Sequence, residues 1–247
     1  MILGVVVGLA VGCSQAKTNA LPAEAWGTED YAHAGLLIDK PWTADNYTTA
    51  TLVLQQESAG HRERLPHFHG ATSGAVFAKL LTDLPDDPSQ PVKDRFIAHA
   101  TRFDAMKEIA KLYMPNVYQP PTREWIELMG ATLHEGVVLA TIGDAFLASF
   151  GSDDPKHEAR LEGLAEMKRG YGAMLFGSLL VADQLLVSAD DRIAMLAHVT
   201  AALPTLFPLV SADTQKQIRD TIAKQVAAFP AGTLHDAIVA AQRALPQ

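Results

Sequence analysis

The sequence predicts an all-α protein, a helical bundle of roughly eight helices. Three observations carry that prediction. From Asp45 to the carboxyl end, apolar residues recur at steps of three and four, the spacing of one helix face. Ala and Leu dominate the same region, and the period-two alternation of a half-buried strand is almost absent. Cap residues and breakers rich in Pro or Gly stand between the periodic stretches. With 247 residues, 48% of them apolar, and a mean hydropathy of +0.07, the chain can bury a substantial core. Wholesale disorder is excluded on the same grounds.

Taken in order, Asp45 is placed to cap a first helix over TTATLVLQQES, and Thr72 or Ser73 a second over GAVFAKLLTDL. The segment PDDPSQP, with three prolines in seven residues, then stops the chain. Phe96, His99, Phe103, Met106 and Ala110 mark one face of a long third helix, which MPNVYQPP ends. Thr122 caps the next periodic stretch, PTREWIELMGATLHEGVVLATIGDAFLASF, in which Gly130, Gly136 and Gly143 predict a kink or break. Asp154, followed by Pro155 in the first helical position, opens a helix that is polar in its first half and apolar in its second. Within it, Met174 to Val181 reads as the central buried helix. Ser188 or Asp190 caps DRIAMLAHVTAALPTLF, Asp213 caps TQKQIRDTIAKQVAAF, and TLHDAIVAAQRAL closes the chain.

Residues 78–101 and 177–200 align without gaps, pairing Ala98-His99-x-Thr101 with Ala197-His198-x-Thr200. Thr132-Leu133-His134-Glu135 likewise mirrors Thr233-Leu234-His235-Asp236. Two pseudo-symmetric four-helix halves, about 45–136 and 137–247, would account for both echoes. Chance alignment of Ala- and Leu-rich helices is the competing explanation.

The first thirteen residues, MILGVVVGLAVGC, are apolar or small throughout, and SQAKTN turns polar at once. Residues 1–12 therefore read as a signal peptide, too short to span a bilayer, which needs about 20 residues. Leu9-Ala10-Val11-Gly12-Cys13 resembles the lipobox of bacterial lipoproteins, with Ala10 where that family usually carries Leu and no Lys or Arg before Lys17. The resemblance implies cleavage before Cys13 and a lipid anchor on its thiol, with residues 13–44 as the tether. Ser14 resembles the residue that follows the acylated Cys in the outer-membrane type. The expected location is thus the bacterial cell envelope, outer membrane rather than inner, facing the periplasm or the surface. Trp26, Tyr31, Leu36, Leu37, Ile38 and Trp42 predict that the later part of the tether lies against the domain.

Lys and Arg total 20 against 28 Asp and Glu, a net charge of −8 with no basic run, so nucleic acid is not an expected partner. A single cysteine excludes a disulfide framework and Cys-based zinc sites. Nine histidines are the unusual feature. His61, His67 and His69 form one cluster. An extended His-x-His pair grips a single transition metal, and a third His six residues away completes the site, with Glu57 and Glu63 near enough to add oxygen. A transition-metal ion is accordingly the candidate cofactor, and a solvated loop the plain alternative. His99 and His198 lie on apolar faces, His99 in line with Phe96 and Phe103, His198 with Met195 and Ala202. His134 and His235 face Val137/Val138 and Ile238/Val239. Ordinary hydrogen-bonded packing explains each of the four. Their convergence between two halves would instead make a buried metal or haem pocket. Glu135 and Asp236 are expected to point away from the faces of the histidines they follow.

No catalytic residue is singled out. His134-Glu135-Gly136-Val137-Val138 lacks the second His of H-E-x-x-H, and no Glu has a His three residues on, as di-iron bundles require. G-x-S-x-G, the phosphate-binding G-x-x-x-x-G-K-[ST] and C-x-x-C-H are absent. Gly136, Gly143, Gly170 and Gly172 predict close helix approaches. The functional expectation is an envelope lipoprotein whose helical domain binds or scaffolds a protein or a small apolar ligand. The alternative is a transition-metal-binding protein or metal-dependent enzyme using the histidines; a hydrolase or lyase assembled from distant segments comes third.

Overall fold

The computed structural model describes residues 36, 39–59, 65–67, 71–82, 84, 86–114, 119–151 and 153–246. The all-α expectation holds. The described residues form eight α-helices, α1 (Ala44–Glu57), α2 (Ala71–Leu81), α3 (Val92–Leu112), α4 (Arg123–Ala148), α5 (His157–Ala182), α6 (Ala189–Leu206), α7 (Ala212–Ala228) and α8 (Thr233–Ala244), with a 3-10 turn at Phe207–Leu209 and no strand.

Caps set four of these eight starts. Thr122 accepts the Trp125 backbone N–H at 3.3 Å, and Ser188 accepts that of Asp191 at 3.1 Å, both as the sequence predicts. Four expected caps are corrected. Thr72 and Ser73 lie inside α2, which begins at Ala71. Thr43, not Asp45, precedes α1 in extended backbone, and Asn46 accepts its N–H at 2.8 Å. Ser211, not Asp213, caps α7 through a 3.2 Å bond from Thr214 N–H. Asp154 accepts the Lys156 N–H at 2.8 Å in a turn, and α5 begins only at His157.

α4 runs through its three glycines unbroken for 26 residues, against the expected kink or break. The reason is packing. A Cβ at Gly130 would stand 2.4 Å from the His198 ring and one at Gly143 2.8 Å from Leu164, so these glycines admit neighbouring side chains. Gly136 and Gly172 likewise receive Tyr171 and Val210, whereas a Cβ at Gly170 would meet nothing within 4 Å. Gly151, at φ 76°, turns the chain away after α4. Residues 136 and 137, where the two repeat halves would meet, are consecutive inside α4.

α4 and α6 are the innermost elements. α4 packs against α2, α3, α5 and α6, while α6 also meets α5, α8 and the 3-10 turn. Both are long and apolar enough to cross a membrane by length and composition, and 44% of each apolar window is buried within the bundle. α5 is more peripheral than the sequence predicts. Its second half buries Leu175, Ser178, Leu179 and Ala182, but Leu180 is 42% exposed. Of the tether residues, Leu36 and Trp42 are buried, and Trp42 meets Tyr47 edge-on at 5.2 Å. Cys13, Trp26, Tyr31, Leu37 and Ile38 lie outside the described residues.

Candidate functional site

Helical spacing on three helices builds an open groove. Phe103, Lys107 and Ala110 step along α3, Trp125 and Met129 stand one turn apart on α4, and Met167, Tyr171 and Met174 do the same on α5. Small residues at Ala100, Ala110 and Gly170 leave a space of about 480 Å³ between these stripes. Met114 completes the end of α3, so four of the chain's seven methionines line the groove. Asp104, Lys107 and Lys111 form its polar rim, with Lys107 paired to Asp104 at 3.0 Å and Lys111 to Glu108.

The floor holds one polar atom without a partner. Tyr171 stands edge-on to Phe103 at 5.2 Å, and its hydroxyl is buried with no hydrogen bond. Burial, then the negative charges of Asp104 and Glu135, push the phenol above its ordinary range and keep it protonated.

Beside the groove lies a buried charge cluster. His99 on α3 and Glu135 on α4 are both buried, and His99 Nδ1 donates to Glu135 Oε2 at 2.8 Å. Arg102, one turn along α3, donates to Glu135 Oε1 and, at 3.0 Å, to the Thr82 carbonyl, which also accepts from the Tyr47 hydroxyl. Burial, the largest single effect, would depress the Arg102 guanidinium; the attraction and hydrogen bonding of Glu135 and Tyr47 together outweigh it and raise the group. His99 Nε2 lies 3.6 Å from Asp86, whose carboxylate takes two bonds of 2.7 Å from Arg95. The Arg95 bonds hold Asp86 below the usual carboxylate range. That link is therefore complete above the ordinary Asp pKa and is lost as pH falls through the lowered value. A cavity of about 370 Å³ reaches His99 from the other side, past Trp42 and Arg95.

Only His99 of the four helix histidines is buried. His134 is exposed, and His198 and His235 are half-buried. His134 and His198 line one cavity of about 260 Å³ with Glu127, and neither His99 nor His235 lines it. Glu135 turns to a different face from His134, as expected: His134 is exposed, while Glu135 is buried as the partner of His99 on the neighbouring helix. His198 Nε2 donates to Glu127 at 3.1 Å, and this bond, with Arg123 nearby, holds the Glu127 carboxyl below its ordinary value. The pair's contribution is full above the ordinary Glu pKa and disappears as pH falls through the depressed one. Gly130→Ala is expected to push the His198 ring aside and break this bond. An NMR titration of Glu127 then moves up toward the ordinary value, while the gain in helix propensity of about 1 kcal/mol keeps the net stability change small.

His67 is exposed and faces Glu124 at 3.7 Å; His61 and His69 lie outside the described residues. Among the described residues no three His, Cys, Asp or Glu side chains are grouped to hold a metal ion. Sequence reasoning missed the groove and the Arg102–Glu135 pair. Two signals pointed to them: methionines at helical spacing on α5, and an Arg one turn beyond His99 on a face that is otherwise apolar. No protein-family model, curated protein or solved structure matches the chain.

Proposed function

We propose that the helical region is a binding module for a small apolar molecule, seated in the groove between α3, α4 and α5. The groove carries the reading. Its volume of about 480 Å³ falls in the range of small-ligand sites, and such sites are apolar with a few polar groups. Phe103, Trp125 and Met129 present a wall that packing alone would favour closing. Methionines suit a wall that must adapt to an occupant, because the thioether chain is flexible and polarizable. The lipobox resemblance supports the same reading: a module tethered at the bacterial envelope through an acylated Cys13 would meet apolar molecules of that compartment.

Gly170 supplies the test. It borders the groove, lies within a helix, and a Cβ there meets nothing within 4 Å. Gly170→Phe is therefore expected to place a ring in the groove without straining the helix. Titration with the fluorescent apolar probe N-phenyl-1-naphthylamine is expected to show saturable binding to the wild type. Binding to Gly170→Phe should be weaker by about tenfold or more. Equal binding by the two proteins, with the variant folded by circular dichroism, rejects the groove as the site.

A further inference from the structure

We infer that the occupant of the groove is an uncharged apolar molecule bearing a hydrogen-bond acceptor, a ketone, quinone or ester carbonyl, that Tyr171 recognises through its hydroxyl. The inference rests on the groove being a ligand site. Tyr171 lines the groove from α5 and is 1% exposed. Its ring is fixed against Phe103 and against Gly136, where a Cβ would come within 3.3 Å of it. Packing explains the ring but not the hydroxyl, which is buried without a partner. Phenylalanine would fill the same space and avoid the cost of an unmade hydrogen bond. A hydroxyl kept there under an apolar groove fits a site that completes its hydrogen bonding when the groove is occupied.

Charge narrows the chemistry. Asp104 at the rim and Glu135 behind the floor both act on this hydroxyl with negative charge, while the rim cations Lys107 and Lys111 are paired to Asp104 and Glu108. The two carboxylates keep the phenol a donor, and they repel a carboxylate or phosphate brought beside it. A plain hydrocarbon fits the groove but leaves the donor unpaired. Met167 and Met174, one turn to either side of Tyr171 on α5, are flexible enough to let a carbonyl reach it.

The test compares two naphthalenes of nearly the same shape. One is the ketone 6-propionyl-2-(dimethylamino)naphthalene, the other its 6-propyl analogue. Tyr171→Phe is expected to weaken the ketone about tenfold and to leave the propyl compound within about twofold. The emission of the bound ketone should also move to shorter wavelength, as its carbonyl loses a donor. If the two probes change alike, or neither changes, the inference falls and the groove reading stands. If neither probe binds the wild type, or both bind Gly170→Phe unchanged, the groove reading falls and takes the inference with it. The melting temperature of unliganded Tyr171→Phe should equal or exceed that of the wild type, since an unpaired buried hydroxyl is removed. A drop of several degrees would assign the hydroxyl a structural partner and overturn the inference.

Discussion

Glu135→Ala is expected to lower folding stability by about 3–5 kcal/mol, the range for removing one partner of a buried ion pair. In a chain of this size that is a fall in melting temperature of roughly 6–20 °C. The magnitude follows from what stays behind. Arg102 has no exposed surface, and its guanidinium is held by Glu135 and the Thr82 carbonyl. Without the carboxylate a full positive charge remains in the core, which the Thr82 and Leu81 carbonyls at 3.0 and 3.4 Å do not neutralise, and His99 Nδ1 loses its 2.8 Å acceptor as well. The pair is not for that reason a large net source of stability, because both charges had to be stripped of water to form it. Arg102→Met with Glu135→Leu should therefore recover most of what Glu135→Ala loses. Urea unfolding of the wild type and the two variants separates the two ideas. A double variant as unstable as Glu135→Ala would show that the cluster shapes this part of the bundle beyond balancing its own charges, through the carbonyls and Tyr47 that Arg102 gathers.

The fold class was legible because the helical period survives in every element, and because Thr122 and Ser188 stand where the chain turns from extended to helical backbone. Two of the misplaced caps share one physical cause. An acidic residue in the first turn is favoured by the helix dipole whether or not it caps, so Asp45 and Asp213 mark the turn while Thr43 and Ser211 make the bond. The glycines of α4 misled in a related way. Propensity counts their cost within the helix, but His198 and Leu164 use the space they leave, and packing outweighs the local preference. The charge cluster was half visible. His99 drew notice as a rare residue on an apolar face, yet its role is set by Glu135 on another helix. Nothing in the run Leu133-His134-Glu135-Gly136 says which of its two polar side chains turns inward. The groove left a single trace, the methionines at helical spacing on α5. Each of its three stripes looks like ordinary core; what distinguishes them is that none of the described elements covers the place where they meet, and that is a fact of tertiary structure alone.

Gly172→Ala should destabilise, whereas Gly163→Ala and Gly177→Ala on the same helix should stabilise by roughly 0.5–1 kcal/mol. The three positions differ only in what a methyl group meets. At Gly163 and Gly177 a Cβ has nothing within 4 Å, so the change removes backbone freedom from the unfolded chain and adds no strain. At Gly172 a Cβ would stand 1.9 Å from Val210 Cγ1 and 3.0 Å from Val210 Cβ. No rotation of the valine relieves a contact that includes its Cβ, so the backbone must yield. That backbone closes the 3-10 turn whose Phe207 is buried in the core. Overpacking of this kind costs about 1–3 kcal/mol, which exceeds the propensity gain over most of its range. Val210→Ala removes the 1.9 Å contact but keeps the Cβ at 3.0 Å, so Gly172→Ala introduced into that background should destabilise less than in the wild type. A thermal double-mutant cycle reads the coupling directly. Independent, additive effects of the two substitutions would mean that α5 and the 3-10 turn do not meet as closely as their packing at Gly172 requires.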